Sequence, residues 1–233
     1  MITAFRFEKL SGGSVLNRQS GKFTVFQHIN DKGSLFTHDG DVEVEISFTN
    51  DGYIIGSGHF QGHITGKGSI HPGNSAGVLS IDGNFGHGGG GKEIELGGMF
   101  DGGGDRAQTE YDWIDVTGDI ELASALHVEL INGFELQPGN IFTFLRVGGT
   151  LTGEYDGLGE GALVGGFGGE DLFITYAGGD GNDVALFTVP EPTMALTQSM
   201  LIGLRIMMRR SNFSDSTNGA SQSKGHAGLR RRD

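Results

Sequence analysis

A chain of 233 residues with 44 Gly, 4 Pro and no Cys is long enough for a substantial core, has no disulfide or thiolate chemistry, and lacks the three-residue glycine period of collagen. A hydrophobic content of 36%, with 16 Phe, excludes wholesale disorder, because enough apolar surface exists to offset ordering entropy. Charge is uneven: residues 1–190 hold 9 basic and 26 acidic side chains, whereas residues 191–233 hold 7 and 3. The acidic body repels phosphates, so nucleic acid is not an expected partner.

The opening "MITAFRFEKLSGGSVLNRQ" lacks the apolar core of a secretory signal peptide. "DVEVEISFT" alternates cleanly, with Val42, Val44, Ile46 and Phe48 on one face and Glu43, Glu45, Ser47 and Thr49 on the other. That is the period of a half-buried strand. "GYIIGSGHFQGHITGKGSI" follows, its glycines marking tight corners where positive φ has no steric cost. "VLSIDGNF" sets Leu79 and Ile81 on one face, "KEIELGG" sets Ile94 and Leu96, and "ALHVELING" sets Leu126, Val128 and Leu130. Between the last two, "GGMFDGGGDRAQTE" predicts a long exposed loop. "NIFTFLRV" and "DLFITYA" predict more fully buried strands. Helical periodicity begins only at Met194.

Strand signals recur about every ten residues with Gly, Asn or Asp between them, which fits a sandwich, a barrel or a β-solenoid. The glycine punctuation favours the solenoid over residues 1–188, and the C-terminal half also admits an antiparallel, sandwich-like portion. Residues 189–210 predict a segment with a short apolar helix, and residues 211–233 a disordered polar tail.

Two stretches resemble known families. "GSIHPGNSAGVLSIDGNF", from Gly68 to Phe85, is similar to the signature of autotransporter-associated β-strand repeat proteins, within a resemblance running from about Gly52 to Leu186. The resemblance implies an all-β, right-handed parallel β-helix on an exported or surface protein. "VPEPTMALTQSMLIGLRIMMRRSN", from Val189, resembles a PEP-CTERM sorting tail. It implies a recognition motif at Pro190, Glu191 and Pro192, transient membrane insertion through residues 193–208, and stop-transfer arginines at Arg209 and Arg210. An exosortase-type processing enzyme is the implied partner. The apolar run departs from the pattern: it is 16 residues long, holds Gln198 and Arg205, and spans roughly 24 Å as a helix against a hydrocarbon core of about 30 Å.

Catalytic and metal-binding patterns are sparse. "GGDGNDVAL" (Gly178 to Leu186) nearly matches a calcium-binding nonapeptide, making Asp180 and Asp183 the Ca²⁺ candidates. A single copy supplies too few ligands, so a hairpin turn with no cofactor is expected. His59 and His63 lie four apart in "HFQGH", about 13 Å along a strand, too far for one metal to bridge. His71 and His87 could approach each other from neighbouring coils, but solvated or packing histidines are the expectation. Asp101, Asp105, Glu110, Asp112 and Asp115 cluster around a glycine-rich loop containing Arg106. Paired carboxylates suit glycoside hydrolysis, or a polysaccharide lyase in which Arg106 or Arg146 would be the base. Lys67 and Lys92 are the other cations between Lys67 and Pro190. "GHGGGGKE", from Gly86, lacks the Ser/Thr and the helix of a phosphate loop.

The expected function is therefore that of a noncatalytic, exported surface or extracellular-matrix protein, adhesin-like and in contact with extracellular polysaccharide. The N-terminal signal peptide such a protein needs is not present in this sequence. The alternatives are a carbohydrate-active enzyme on the same scaffold, or a truncated remnant of a larger surface protein.

Overall fold

The structure, a computed structural model, describes residues 2–4, 7–9, 14–17, 22–30, 32, 35–73, 75–103 and 105–191. Pro192, the segment 193–208 with its predicted helix, Arg209, Arg210 and the tail 211–233 lie outside the described residues. Residues Met1–Pro190 form one compact unit.

Six strands open this unit: β1 (Ile2–Ala4), β2 (Phe7–Lys9), β3 (Ser14–Asn17), β4 (Lys22–Asn30), β5 (Leu35–His38) and β6 (Asp41–Asn50). The glycine-punctuated stretch gives the short β7 (Tyr53–Gly56), β8 (His59–Gln61), β9 (Ile64–Thr65) and β10 (Ser69–Pro72). Longer strands follow in β11 (Val78–Asp82), β12 (Phe85–Leu96), β13 (Trp113–Val116), β14 (Ile120–Leu130), β15 (Ile141–Val147) and β16 (Leu151–Gly153). The chain ends with β17 (Leu163–Phe167), β18 (Glu170–Gly178) and β19 (Asp183–Thr188). Among the described residues the only helical element is a 3-10 turn at Arg106–Gln108.

The ladders among β1 to β16 are parallel, each joining a strand to one further along the chain. The sheet curls on itself as a result, and residues far apart in sequence stand one above another. Asp41 pairs with His59, His59 with Ser80, Ser80 with Asp115, and Asp115 with Arg146. The pattern changes at β15, which pairs antiparallel with β19, while β19 pairs with β18 and β18 with β17.

Strand alternation directs one row of side chains inward. Val42, Val44 and Phe48 of β6 are buried as the period predicts, and so are Leu79, Ile81, Ile94 and Leu96. Phe36, Phe48 and Phe60 meet inside, with centroids 5.1 Å apart for Phe36–Phe48 and for Phe48–Phe60, both edge-to-face. Such pairs add about 1 kcal/mol each beyond the area they bury. Two buried asparagines sit in this interior. Asn30 Nδ2 donates to Asn50 Oδ1 at 2.8 Å and to the Tyr53 carbonyl at 3.1 Å, and Asn50 Nδ2 donates to the Ser69 carbonyl at 3.2 Å. Each amide N–H group thereby bonds the backbone of a following strand.

Candidate functional site

One corner of the sheet repeats a five-residue pattern: "FQGHI" at Phe60, "IDGNF" at Ile81, "VTGDI" at Val116 and "VGGTL" at Val147. Register stacks the four copies, since Ile64, Phe85, Ile120 and Leu151 pair successively. At the fourth position of the first three copies, a side chain accepts the backbone N–H of the fourth position in the next copy. His63 Nδ1 accepts from Asn84 at 2.9 Å, Asn84 Oδ1 from Asp119 at 3.0 Å, and Asp119 Oδ1 from Thr150 at 2.8 Å. The glycine at the third position is required by close approach. A Cβ on Gly118 would lie 2.6 Å from the Gly83 carbonyl oxygen, and one on Gly149 would lie 2.7 Å from that of Gly118. His63 thus holds a corner, a role that its four-residue spacing from His59 does not reveal. The repeated pentad was the legible signal for it.

The predicted loop, residues 97–110, lies in a strap of residues 97–112 folded back over the outer face of the sheet. Its base is closed by Gly97 N–H to the Glu110 carbonyl at 2.8 Å and Glu110 N–H to the Phe100 carbonyl at 2.7 Å. Trp113 lies on the outward row with Asp115, yet is only 2% exposed because the strap covers it. Its indole Nε1 donates to the Asp101 carbonyl at 3.2 Å. The Arg146 guanidinium stands 3.9 Å from its ring centroid and that of Arg106 stands 4.9 Å away, so the ring lies against two cations.

All five acidic residues of the predicted cluster hold this arrangement together. Asp101 accepts from Gly103 N–H at 3.0 Å and from Arg146 at 2.7 Å. These bonds, that of Gly103 first, hold its carboxyl below the usual range. Asp105 caps the 3-10 turn through Ala107 N–H at 3.2 Å and takes Gln108 Nε2 at 2.8 Å. Glu110 accepts from Phe100 N–H at 3.0 Å. Asp112 is buried and receives Gly77 N–H at 2.7 Å and Glu95 N–H at 3.0 Å. Burial nonetheless pushes its carboxyl up to about 8, the two N–H donors opposing the shift. Asp115 receives the Arg106 guanidinium, which also donates to Ser80 Oγ.

A cleft of about 550 Å³ remains between the strap and the turns before β6 and β8, lined by Asp39, Asp41, Ser57, His59, Ser80, Asp105 and Arg106 among others. On its floor His59 Nε2 meets Asp82 Oδ2 at 3.0 Å, and its Nδ1 lies 3.9 Å from Asp41. A second, smaller cleft of about 260 Å³ adjoins the Pro72–Gly73 turn, where His71 Nδ1 meets Glu93 Oε2 at 2.8 Å. The His87 side chain and Asn74 lie outside the description.

Lys92, at the end of the phosphate-loop-like glycine run, is a strand residue of β12 facing the core. Its Nζ donates to Ser124 Oγ at 3.3 Å and lies 4.9 Å from the Phe85 ring centroid and 5.2 Å from that of Tyr155. Burial lowers its pKa to about 7. No sequence signal separated this lysine from a surface one.

Asp180 lies in the turn joining β18 and β19, and Asp183 is the first residue of β19. Asp183 Oδ1 accepts Val147 N–H at 2.8 Å, and burial raises its carboxyl. Among the described residues no group of three or more His, Asp or Glu is placed to hold a metal ion. Also among them, no helix is long and apolar enough to cross a membrane. Of the sorting motif, Pro190 and Glu191 are described, and Val189 separates them from the end of β19. No family model, no characterised protein and no solved structure matches the chain.

Proposed function

We propose that the chain is a noncatalytic, exported surface or extracellular-matrix protein, adhesin-like, that presents polar loops on a rigid body. In this reading the body is a right-handed parallel β-helix of the autotransporter-associated repeat type, closed by the antiparallel strands β15, β19, β18 and β17. The parallel ladders and the stacked corner column support it. Residues 189–210 act as a PEP-CTERM-like sorting segment, with recognition at Pro190, Glu191 and Pro192, transient insertion of 193–208, and a stop at Arg209 and Arg210. An exosortase-type enzyme processes it.

The observation that carries the noncatalytic reading is the engagement of Asp101, Asp105, Glu110, Asp112 and Asp115 in bonds that hold the strap. Arg106 and Arg146 clamp Trp113 and pair with carboxylates, a positioning role rather than that of a lyase base. Two measurements test the proposal. In an exosortase-bearing host, mass spectrometry of the mature surface protein is expected to find chain ends near 190–192, and intact residues 190–233 on that protein would overturn the sorting role. Purified protein is expected to release no fragments from acidic or neutral polysaccharides. Depolymerisation abolished by Asp101→Ala or Asp105→Ala would replace the proposal with the enzyme reading.

A further inference from the structure

The larger cleft has a floor, walls and a definite charge. Its floor is the outward row Asp41, His59 and Ser80, set on the adjacent parallel strands β6, β8 and β11. Its walls are the turns at Asp39–Gly40 and Ser57–Gly58 on one side and Asp105–Ala107 of the strap on the other. We infer that this cleft binds an extended glycan carrying free amino groups, laid across the strands along Asp41, His59 and Ser80. The inference rests on the proposed surface role and deepens it by naming the ligand class.

Three features carry it. Neighbouring strands are about 4.8 Å apart, so a ligand running across them meets a fresh polar side chain at every step of that length. A glycan in extended form offers hydroxyl or amino groups at a comparable repeat. Carboxylate, imidazole and serine hydroxyl together supply the mixed acceptors and donors that such groups need.

Charge narrows the class. The lining holds three carboxylates, Asp39, Asp41 and Asp105, against the single guanidinium of Arg106, and Arg106 is itself held by Asp115. Asp82 adds a further carboxylate against His59. The field favours ammonium groups and repels uronic acids. A basic peptide satisfies the charge but not the architecture. Peptides laid on sheets pair with an open edge, and β6, β8 and β11 each have parallel partners on both sides. Side-chain atoms, not backbone groups, are what this floor offers.

The test is calorimetric titration of the full chain with a glucosamine oligomer, its N-acetylated counterpart, polygalacturonate and oligolysine. The glucosamine oligomer is expected to bind saturably, the N-acetylated form at least about ten-fold more weakly, and polygalacturonate not at all. The double variant Asp41→Asn, His59→Ala is expected to lose about ten-fold or more in affinity, with an unchanged melting curve. Asp156→Asn, an exposed acid remote from the lining, serves as the control and is expected to bind as the parent does. The inference is overturned if no saturable binding is seen, if oligolysine binds as tightly as the sugar, if polygalacturonate binds better, or if the double variant retains full affinity. Chain-end mass spectrometry reads the sorting role independently, so failure of the glycan assignment leaves that result standing.

Discussion

Lys92 and Asp112 are two buried titratable groups whose shifts change stability with opposite sign as pH rises. The Lys92 ammonium lies among Phe85, Tyr155 and Ser124, and burial lowers its pKa to about 7 from the ordinary 10.5. Between those values the unfolded chain binds the extra proton, so the Lys92 contribution to stability increases as pH rises from about 7 to about 10.5. Lys92→Met keeps the volume without the charge. It is expected to raise stability at pH 7 by on the order of a few kcal/mol and to flatten the slope in that window, measured by urea melts. An unchanged slope would refute the assignment. For Asp112, raised to about 8, the native state holds the extra proton, so its contribution falls as pH rises from its unfolded value of about 4 towards 8.

At the scale of elements, the corner pentad explains why its third position is glycine in every copy. Gly118→Ala would press a Cβ to within 2.6 Å of the Gly83 carbonyl oxygen and 2.7 Å of its carbon. Backbone on the level below cannot yield as a flexible side chain can, so a loss of about 2 kcal/mol or more is expected in thermal or urea unfolding. The strap tells a different story. It is clamped by side chains, with Arg146 reaching Asp101 and the Trp113 ring. Arg146→Met is expected to speed proteolysis between Gly97 and Asp112 several-fold while leaving the sheet folded, read by limited digestion and peptide mapping. Protection equal to the parent would show that the clamp is not what holds the strap.

At the scale of the molecule, the interior is one contiguous apolar cluster running from Phe23 to Leu186. Phe48 lies near its start, touching Phe36 and Phe60. Phe48→Ala is expected to cost about 3–5 kcal/mol in global unfolding. Strands paired on both sides open only when a neighbour does. Amide exchange is therefore expected to be slowest in β12 and β14, which share the longest ladder among the described residues, and faster in β17, which among those residues pairs only with β18. Equal rates in the two regions would contradict this ordering.

The sequence alone determined what depends on near neighbours. The alternation in β6, the inward faces of β11, β12 and β14, and the glycine corners were all legible, because strand period and positive-φ tolerance are local properties. The loop at 97–110 was legible as irregular chain for the same reason. Only the tertiary structure decided which residues share a level, because the step between partners is not constant. Phe48 pairs with Ile64, a step of 16, whereas Val78 pairs with Trp113, a step of 35. Whereas the column His63, Asn84, Asp119 and Thr150 left a trace in the repeated pentad, that uneven step hid the burial of Lys92 and the closure of the acidic strap over Trp113. Each depends on what another level places opposite it, and a one-dimensional pattern of polarity holds no record of that distance.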